Sequence, residues 1–173
     1  MLVSDLPIEL WGLEKLVQGT GPEIELAGTA VNCGDAARII YETPVNVILV
    51  DLDGEIGIDA IAELCSLSPA RVLVLTASRD VSVHDGAILA GARGVLTKGE
   101  PVAALLTAIE KIDEGEFWID GAATGRIFFH LAQRRKAEYE TPDQIRIASL
   151  TRRERQTIAE ITRDASAGGR LIA

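Results

Sequence analysis

The sequence predicts an α/β protein built on a five-stranded, parallel, doubly wound sheet. Three observations predict it. Short, almost wholly apolar runs recur along the first 120 residues. Stretches of helical periodicity separate them. A hydroxyl, carboxylate or ammonium residue follows most runs. Strands that are apolar throughout are buried on both faces, as in a parallel sheet with helices on each side.

The runs are Met1–Val3, Ile24–Ala27, Val45–Val50, Arg71–Leu75 and Gly94–Leu96. The first is so short that a few preceding residues are expected to be missing. Between the runs lie five helix candidates. Pro7–Val17 opens with Pro in its first turn and sets Leu10, Leu13 and Val17 on one face. Asp35–Tyr41 is short. Ile58–Leu67 repeats apolar residues at helical spacing, and Val81–Ala92 is Ala-rich. Pro101–Ile112 carries the clearest stripe, with Val102, Leu105, Leu106, Ile109 and Ile112 on one side.

After Asp120 the pattern changes. Gly121–Ala137 reads as one more helix, with Ile127, Phe128 and Leu131 apolar and a basic end. Glu138–Ala148 is polar and contains a Pro, as a linker does, and a last helix starts at Leu150. The expected organisation is a domain over 1–120, a helical linker over 121–149 and a partial, all-α domain over 150–173.

Charge divides the same way. Residues 1–125 hold 7 Lys/Arg against 20 Asp/Glu, whereas residues 126–173 hold 10 against 6. An acidic front does not bind nucleic acid by itself, and such asymmetry marks two modules. No apolar run approaches the ~20 residues of a membrane span. The N-terminus lacks the basic start and small-residue cleavage site of a signal peptide, which places the chain in the cytoplasm and off the membrane. Cys33 and Cys65 have no metal spacing and read as reduced structural thiols. His84 and His130 have no catalytic partner in the pattern and read as surface or packing residues.

Ligands of open parallel sheets bind beyond the carboxyl ends of the strands. The residues found there are Ser4 and Asp5, then Asp51 and Asp53, then Thr76, then Thr97 and Lys98. Asp5, Asp51, Thr76 and Lys98 are therefore expected at one end of the sheet. The set suits phosphoryl chemistry. Carboxylates hold Mg²⁺ through oxygen, the metal and a Lys ammonium neutralise phosphoryl oxygens while a Thr hydroxyl hydrogen-bonds one of them, and a central carboxylate, Asp51, is the nucleophile.

These residues resemble a response-regulator receiver domain over residues 1 to about 120. VILVDLD resembles its third strand with the phosphoacceptor, RVLVLTAS its fourth with the switch hydroxyl, and GARGVLTKG its fifth with the phosphate-contacting lysine. The resemblance implies the flavodoxin-like receiver fold. It implies Asp51 as phosphoacceptor, Thr76 as switch hydroxyl and Lys98 as phosphate contact. Mg²⁺ is then held by Asp5, Asp51 and the backbone carbonyl of Asp53. EGEFWID resembles the end of receivers that precede LuxR-type DNA-binding domains, and LTRRERQTIAEI resembles the opening of that helix-turn-helix.

The whole pattern resembles a two-component response regulator of the NarL/LuxR type. Such a protein is a transcription factor, not a turnover enzyme. The implied partners are a sensor histidine kinase, a second copy in a homodimer, and promoter DNA for the full-length protein. The chain ends before any recognition helix, so no DNA-binding residue is assigned in this fragment, and Arg152, Arg153 and Arg155 read as a solvated helix face.

DLDG also resembles the DxDG signature of haloacid-dehalogenase-type phosphatases. That family places it on the first strand, wants a further acidic motif after the lysine, and gives no reason for LTRRER. Four departures from the receiver pattern stand out. Ser4 replaces one carboxylate of the usual acidic pair. Gly54–Gly57 replaces the usual Met-Pro loop with a shorter one. Val95 replaces the switch aromatic, and Gly99 the usual Pro or Asp. Ser4, Val95 and the altered loop favour a second reading, a receiver that acts as a dimerisation or binding scaffold without phosphorylation, and Asp5, Asp51, Thr76 and Lys98 oppose it.

Overall fold

The computed structural model describes residues 1–20 and 24–139. The chain divides into two compact units, Met1–Ile127 and Phe128–Ala173. The expected helix-turn-helix start and the basic Arg152, Arg153 and Arg155 lie outside the described residues.

Five parallel strands form one sheet in the order β2-β1-β3-β4-β5. They are β1 (Leu2–Val3), β2 (Thr29–Ala30), β3 (Val47–Asp51), β4 (Arg71–Thr76) and β5 (Gly94–Thr97). The helices are α1 (Pro7–Gln18), α2 (Cys33–Glu42), α3 (Asp59–Leu67), α4 (Val81–Leu89), α5 (Val102–Asp113) and α6 (Gly121–Tyr139). This is the predicted doubly wound α/β architecture.

The second strand is a correction. The run Ile24–Ala27 is irregular, and β2 lies further along the chain. Leu2 pairs with Thr29 and Val3 with Ala30. The Leu2 amide donates to the Gly28 carbonyl at 3.0 Å, so the ladder starts only where this run ends. Thr29 and Ala30 have little apolar signal of their own, and the pairing to β1 selects them.

The central strands sort their side chains by type. Ile48, Val50, Val72 and Val74 point to one face, where they pack with Ala36, Ile61, Leu64 and Ala87 of α2, α3 and α4. Leu49, Leu73, Leu75 and Leu96 point to the other and pack with Leu13 of α1 and Leu105, Ala108 and Ile112 of α5. Period-two alternation thus puts the fully buried β-branched residues on one side and the leucines, with Val47, on the other. Each fully buried aliphatic side chain contributes about 1.5–3 kcal/mol.

Helix ends follow local chemistry. The Asn32 side chain accepts from the Asp35 amide at 2.9 Å, and the Asp80 side chain from the Ser82 amide at 2.9 Å. Gly91, at φ 117°, turns the chain out of α4 beneath Cys65 Sγ. The EFWID stretch runs beside β5: Trp118 donates to the Arg93 carbonyl at 3.0 Å, and Val95 donates to the Trp118 carbonyl at 3.3 Å. It covers a sheet edge that would otherwise present open backbone groups. Cys33 and Cys65 are free thiols, as expected.

Candidate functional site

Strand register brings the predicted residues to one end of the sheet. β3 and β4 are neighbours, with Asp51 opposite Leu75, and β5 places Thr97 opposite Thr76. Asp51 is the last residue of β3 and is fully buried. Thr76 closes β4 and is 1% exposed. Lys98 follows β5, and its amide donates to the Thr76 carbonyl at 2.9 Å.

A buried carboxylate is costly unless charges and donors surround it. Asp51 has them. Lys98 Nζ lies 2.8 Å from its Oδ1, which also accepts from the Asp53 amide at 3.1 Å. Ser4 Oγ donates to its Oδ2 at 2.9 Å, and Ser4 is itself fully buried. So Ser4, read from sequence as a lost carboxylate, is a hydrogen-bond donor to Asp51. Its hydroxyl oxygen also accepts from the Leu6 amide at 3.2 Å.

Lys98 is the hub. Besides Asp51 it meets Asp53 Oδ2 at 2.9 Å and Glu9 Oε1 at 3.2 Å. Burial disfavours its charge, but bonds to Asp51, Asp53 and Glu9 outweigh that and raise its pKa well above the ordinary lysine value. Glu9 comes from the first turn of α1, and no motif marked it.

Asp53 turns inward. Its side chain is 20% exposed. Oδ1 accepts from the Thr76 hydroxyl at 2.7 Å and from the Ala77 amide at 2.9 Å, and Oδ2 lies 2.7 Å from the same amide. Burial pushes the Asp53 carboxyl up. The bonds from Lys98, Thr76 and Ala77 and the charge of Lys98 overcome it and hold the group below the usual carboxylate range.

Asp5 stands apart from this network. Its Oδ2 accepts from the Glu55 amide at 2.6 Å. Its Oδ1 is buried without a hydrogen-bond partner. Gly54 lies directly on it: a Cβ at Gly54 would overlap the Asp5 carboxylate, so only glycine fits this approach. The short Gly54–Gly57 loop is thus tied to the acidic turn after β1.

The donor set suits a hard cation. Three carboxylates surround the single Lys98 ammonium, and the buried Asp5 Oδ1 lacks a partner. Among the described residues no group of three His, Cys, Asp or Glu side chains converges to hold a metal alone. Mg²⁺ does not need one, since it binds through one or two carboxylates and retains water.

His84 Nε2 lies 2.8 Å from the Ser78 carbonyl and braces the loop between Thr76 and α4. Asp85, on α4 and 7% exposed, pairs bidentately with Arg126 of α6 at 2.8 and 3.0 Å. Sequence reasoning missed this pair, because a lone Asp in an Ala-rich helix carries no signal of its partner.

No family model matches the chain. Among curated proteins it is 30% identical over 164 residues to the transcriptional regulatory protein LiaR of Bacillus subtilis, covering 93% of this chain and 74% of LiaR. The chain belongs to the NarL/LuxR family of response regulators. This response regulator is also 32% identical over 157 residues to the DNA-binding transcriptional activator DevR/DosR of Mycobacterium tuberculosis, covering 89% of this chain and 69% of that one. Against the oxygen regulatory protein NreC of Staphylococcus haemolyticus it spans 66% of the relative's length. A solved LuxR-family two-component response regulator from Aurantimonas sp. SI85-9A1 superposes with TM-score 0.63 at 30% identity, covering 76% of this chain and 96% of that one. The sheet described above is therefore the receiver portion of the regulator.

Proposed function

We propose that the receiver accepts a phosphoryl group on Asp51 from the phosphohistidine of a sensor kinase. The observation that supports it best is Asp51 itself, fully buried yet held between Lys98 and Ser4, with the Thr76 hydroxyl at the same sheet end. An Asp51 carboxylate oxygen attacks phosphorus. The P–O bond forms as the P–N bond to the histidine ring breaks, and the ring nitrogen keeps the electron pair. Lys98 and Thr76 offer donors to the phosphoryl oxygens. Asp5, Asp51 and the Asp53 carbonyl would hold Mg²⁺, which supplies charge neutralisation when bound.

The receiver is not a turnover enzyme in this reading. It resides in the cytoplasm, and the domain boundaries are those of residues 1–120, 121–149 and 150–173. The full-length protein binds promoter DNA as a homodimer. Phe128 and Leu131, both exposed on α6, contribute to the dimer contact. Phe128→Asp is expected to lower the dimer fraction in sedimentation velocity, and an unchanged distribution would remove α6 from the interface.

The test is intact-mass spectrometry after incubation with Mg²⁺ and acetyl phosphate, with Asp51→Asn alongside. One base-labile phosphoryl adduct, absent in the variant, is expected. Continuous release of phosphate would instead indicate a phosphatase. Absence of both would indicate the phosphorylation-independent scaffold. The engagement of Thr76 by Asp53 is the observation that favours this second reading.

A further inference from the structure

The Thr76 hydroxyl, the Ala77 amide and the Lys98 ammonium converge on one point beside Asp51. All three are donors, and together they make a small anion pocket. A carboxylate already fills it. Asp53 takes the Thr76 hydroxyl at 2.7 Å, the Ala77 amide at 2.7 and 2.9 Å, and the Lys98 ammonium at 2.9 Å. No donor among these three is left without an acceptor.

We infer that the Asp53 side chain is an internal ligand of the phosphoryl-oxygen pocket, standing in for the phosphoryl group until it is displaced. The inference rests on the reading of Asp51 as phosphoacceptor and adds the residue that controls access to it. Two consequences follow from the geometry. The Thr76 hydroxyl and the Ala77 amide are held toward the site without any phosphoryl group. The loop running from Ala77 to α4 therefore starts from an engaged arrangement. And phosphorylation must first expel a negatively charged side chain whose bonds to Thr76, Ala77 and Lys98 are charge-assisted.

Several details support this occupancy. Asp53 is two residues past Asp51, and its amide donates to Asp51 Oδ1 at 3.1 Å, which folds its side chain back over the strand end. Lys98 sits between the two carboxylates, at 2.8 Å from Asp51 and 2.9 Å from Asp53, and so offsets their mutual repulsion. Ser4 in place of an acid keeps a further negative charge away from the pair. The Ser4 departure and the Asp53 carboxylate thus act together: one acid fewer after β1, and one acid seated in the pocket.

The test uses the 173-residue chain with Asp53→Ala and Asp53→Asn, and Asp51→Asn as control. The first measurement needs no phosphodonor. The ¹⁵N–¹H resonance of Ala77 is compared in wild type and variants; loss of two short bonds to a carboxylate is expected to move it upfield in the proton dimension. The second is the rate of adduct formation with acetyl phosphate at saturating Mg²⁺, so that any change in metal affinity does not intrude. Asp53→Ala is expected to label at least about tenfold faster than wild type, which is about 1.4 kcal/mol off the barrier.

An Ala77 resonance that stays in place in both variants overturns the proposal. A resonance that moves while both proteins label at the same rate overturns the competition with phosphorylation. A resonance that moves with no adduct on any protein upholds Asp53 as the pocket's occupant and rejects Asp51 as phosphoacceptor, so the two readings fail separately.

Discussion

Ser4→Ala deletes one oxygen from a fully buried position. That oxygen makes two bonds, donating to Asp51 Oδ2 at 2.9 Å and accepting from the Leu6 amide at 3.2 Å. A hydrogen bond to a charged group contributes about 1.5–3 kcal/mol, and a neutral one about 0.5–1.5 kcal/mol. The Leu6 bond is long and at the weak end, so the expected loss is about 2–4 kcal/mol. With a urea m-value of about 2 kcal/mol/M, the unfolding midpoint falls by about 1–2 M. Urea denaturation followed by circular dichroism reads this directly. Ser66→Ala is the control: its hydroxyl bonds only the Glu63 carbonyl at an exposed site, and its midpoint stays within about 0.3 M of wild type. Repeating Ser4→Ala in an Asp51→Asn background separates the charged part, because an amide gains less from the Ser4 donor. A Ser4→Ala midpoint within about 0.3 M of wild type, at equal slope, would refute the assignment of Ser4 as a structural donor to the buried carboxylate.

Three further outcomes follow from the same geometry. Asp53 titrates below its unfolded value, so its contribution to stability is complete above about pH 3.9 and is lost as pH falls through the folded value. Lys98 titrates above its unfolded value, so its contribution is complete below about pH 10.4 and is lost as pH rises through the folded value. A ¹³C titration of the Asp53 carboxyl is expected to shift to higher pH in Lys98→Met; an unmoved midpoint would exclude Lys98 as its partner. Gly54→Ala pushes the Asp5 carboxylate off the Glu55 amide, and calorimetric Mg²⁺ titration is expected to show affinity about tenfold weaker or worse. Arg126→Ala removes the bidentate tie between α6 and α4, and hydrogen exchange in the first turn of α6 is expected to speed up; unchanged exchange would show that the turn is held without this pair, as by the Asp120 carboxylate that accepts from the Ala123 amide.

The sequence alone determined the sheet, four of its five strands and the identity of the residues at its carboxyl end. The reason is physical. Val45–Val50 and Arg71–Leu75 are apolar on both faces, and a strand can be so only when helices cover both sides. Once such a sheet is parallel, the residue after each strand must lie at one end, so Asp5, Asp51, Thr76 and Lys98 followed from spacing. Local signals also sufficed for the helices, where the α5 stripe and the Pro at the start of α1 report burial and entry directly.

Tertiary structure decided what spacing does not encode. β2 lies at Thr29–Ala30 because the ladder to β1 chose those residues over the more apolar Ile24–Ala27. Side-chain direction decided the rest. The pattern read Ser4 as an absence, but in the fold its hydroxyl sits against Asp51. Glu9 joins Lys98 from a different element. Asp85 finds Arg126 across 41 residues of chain. The resemblance implied a role only for the backbone carbonyl of Asp53, as a metal contact. Its carboxylate lies against Thr76, because three donors from two other strand ends meet there, and only the assembled sheet brings them together.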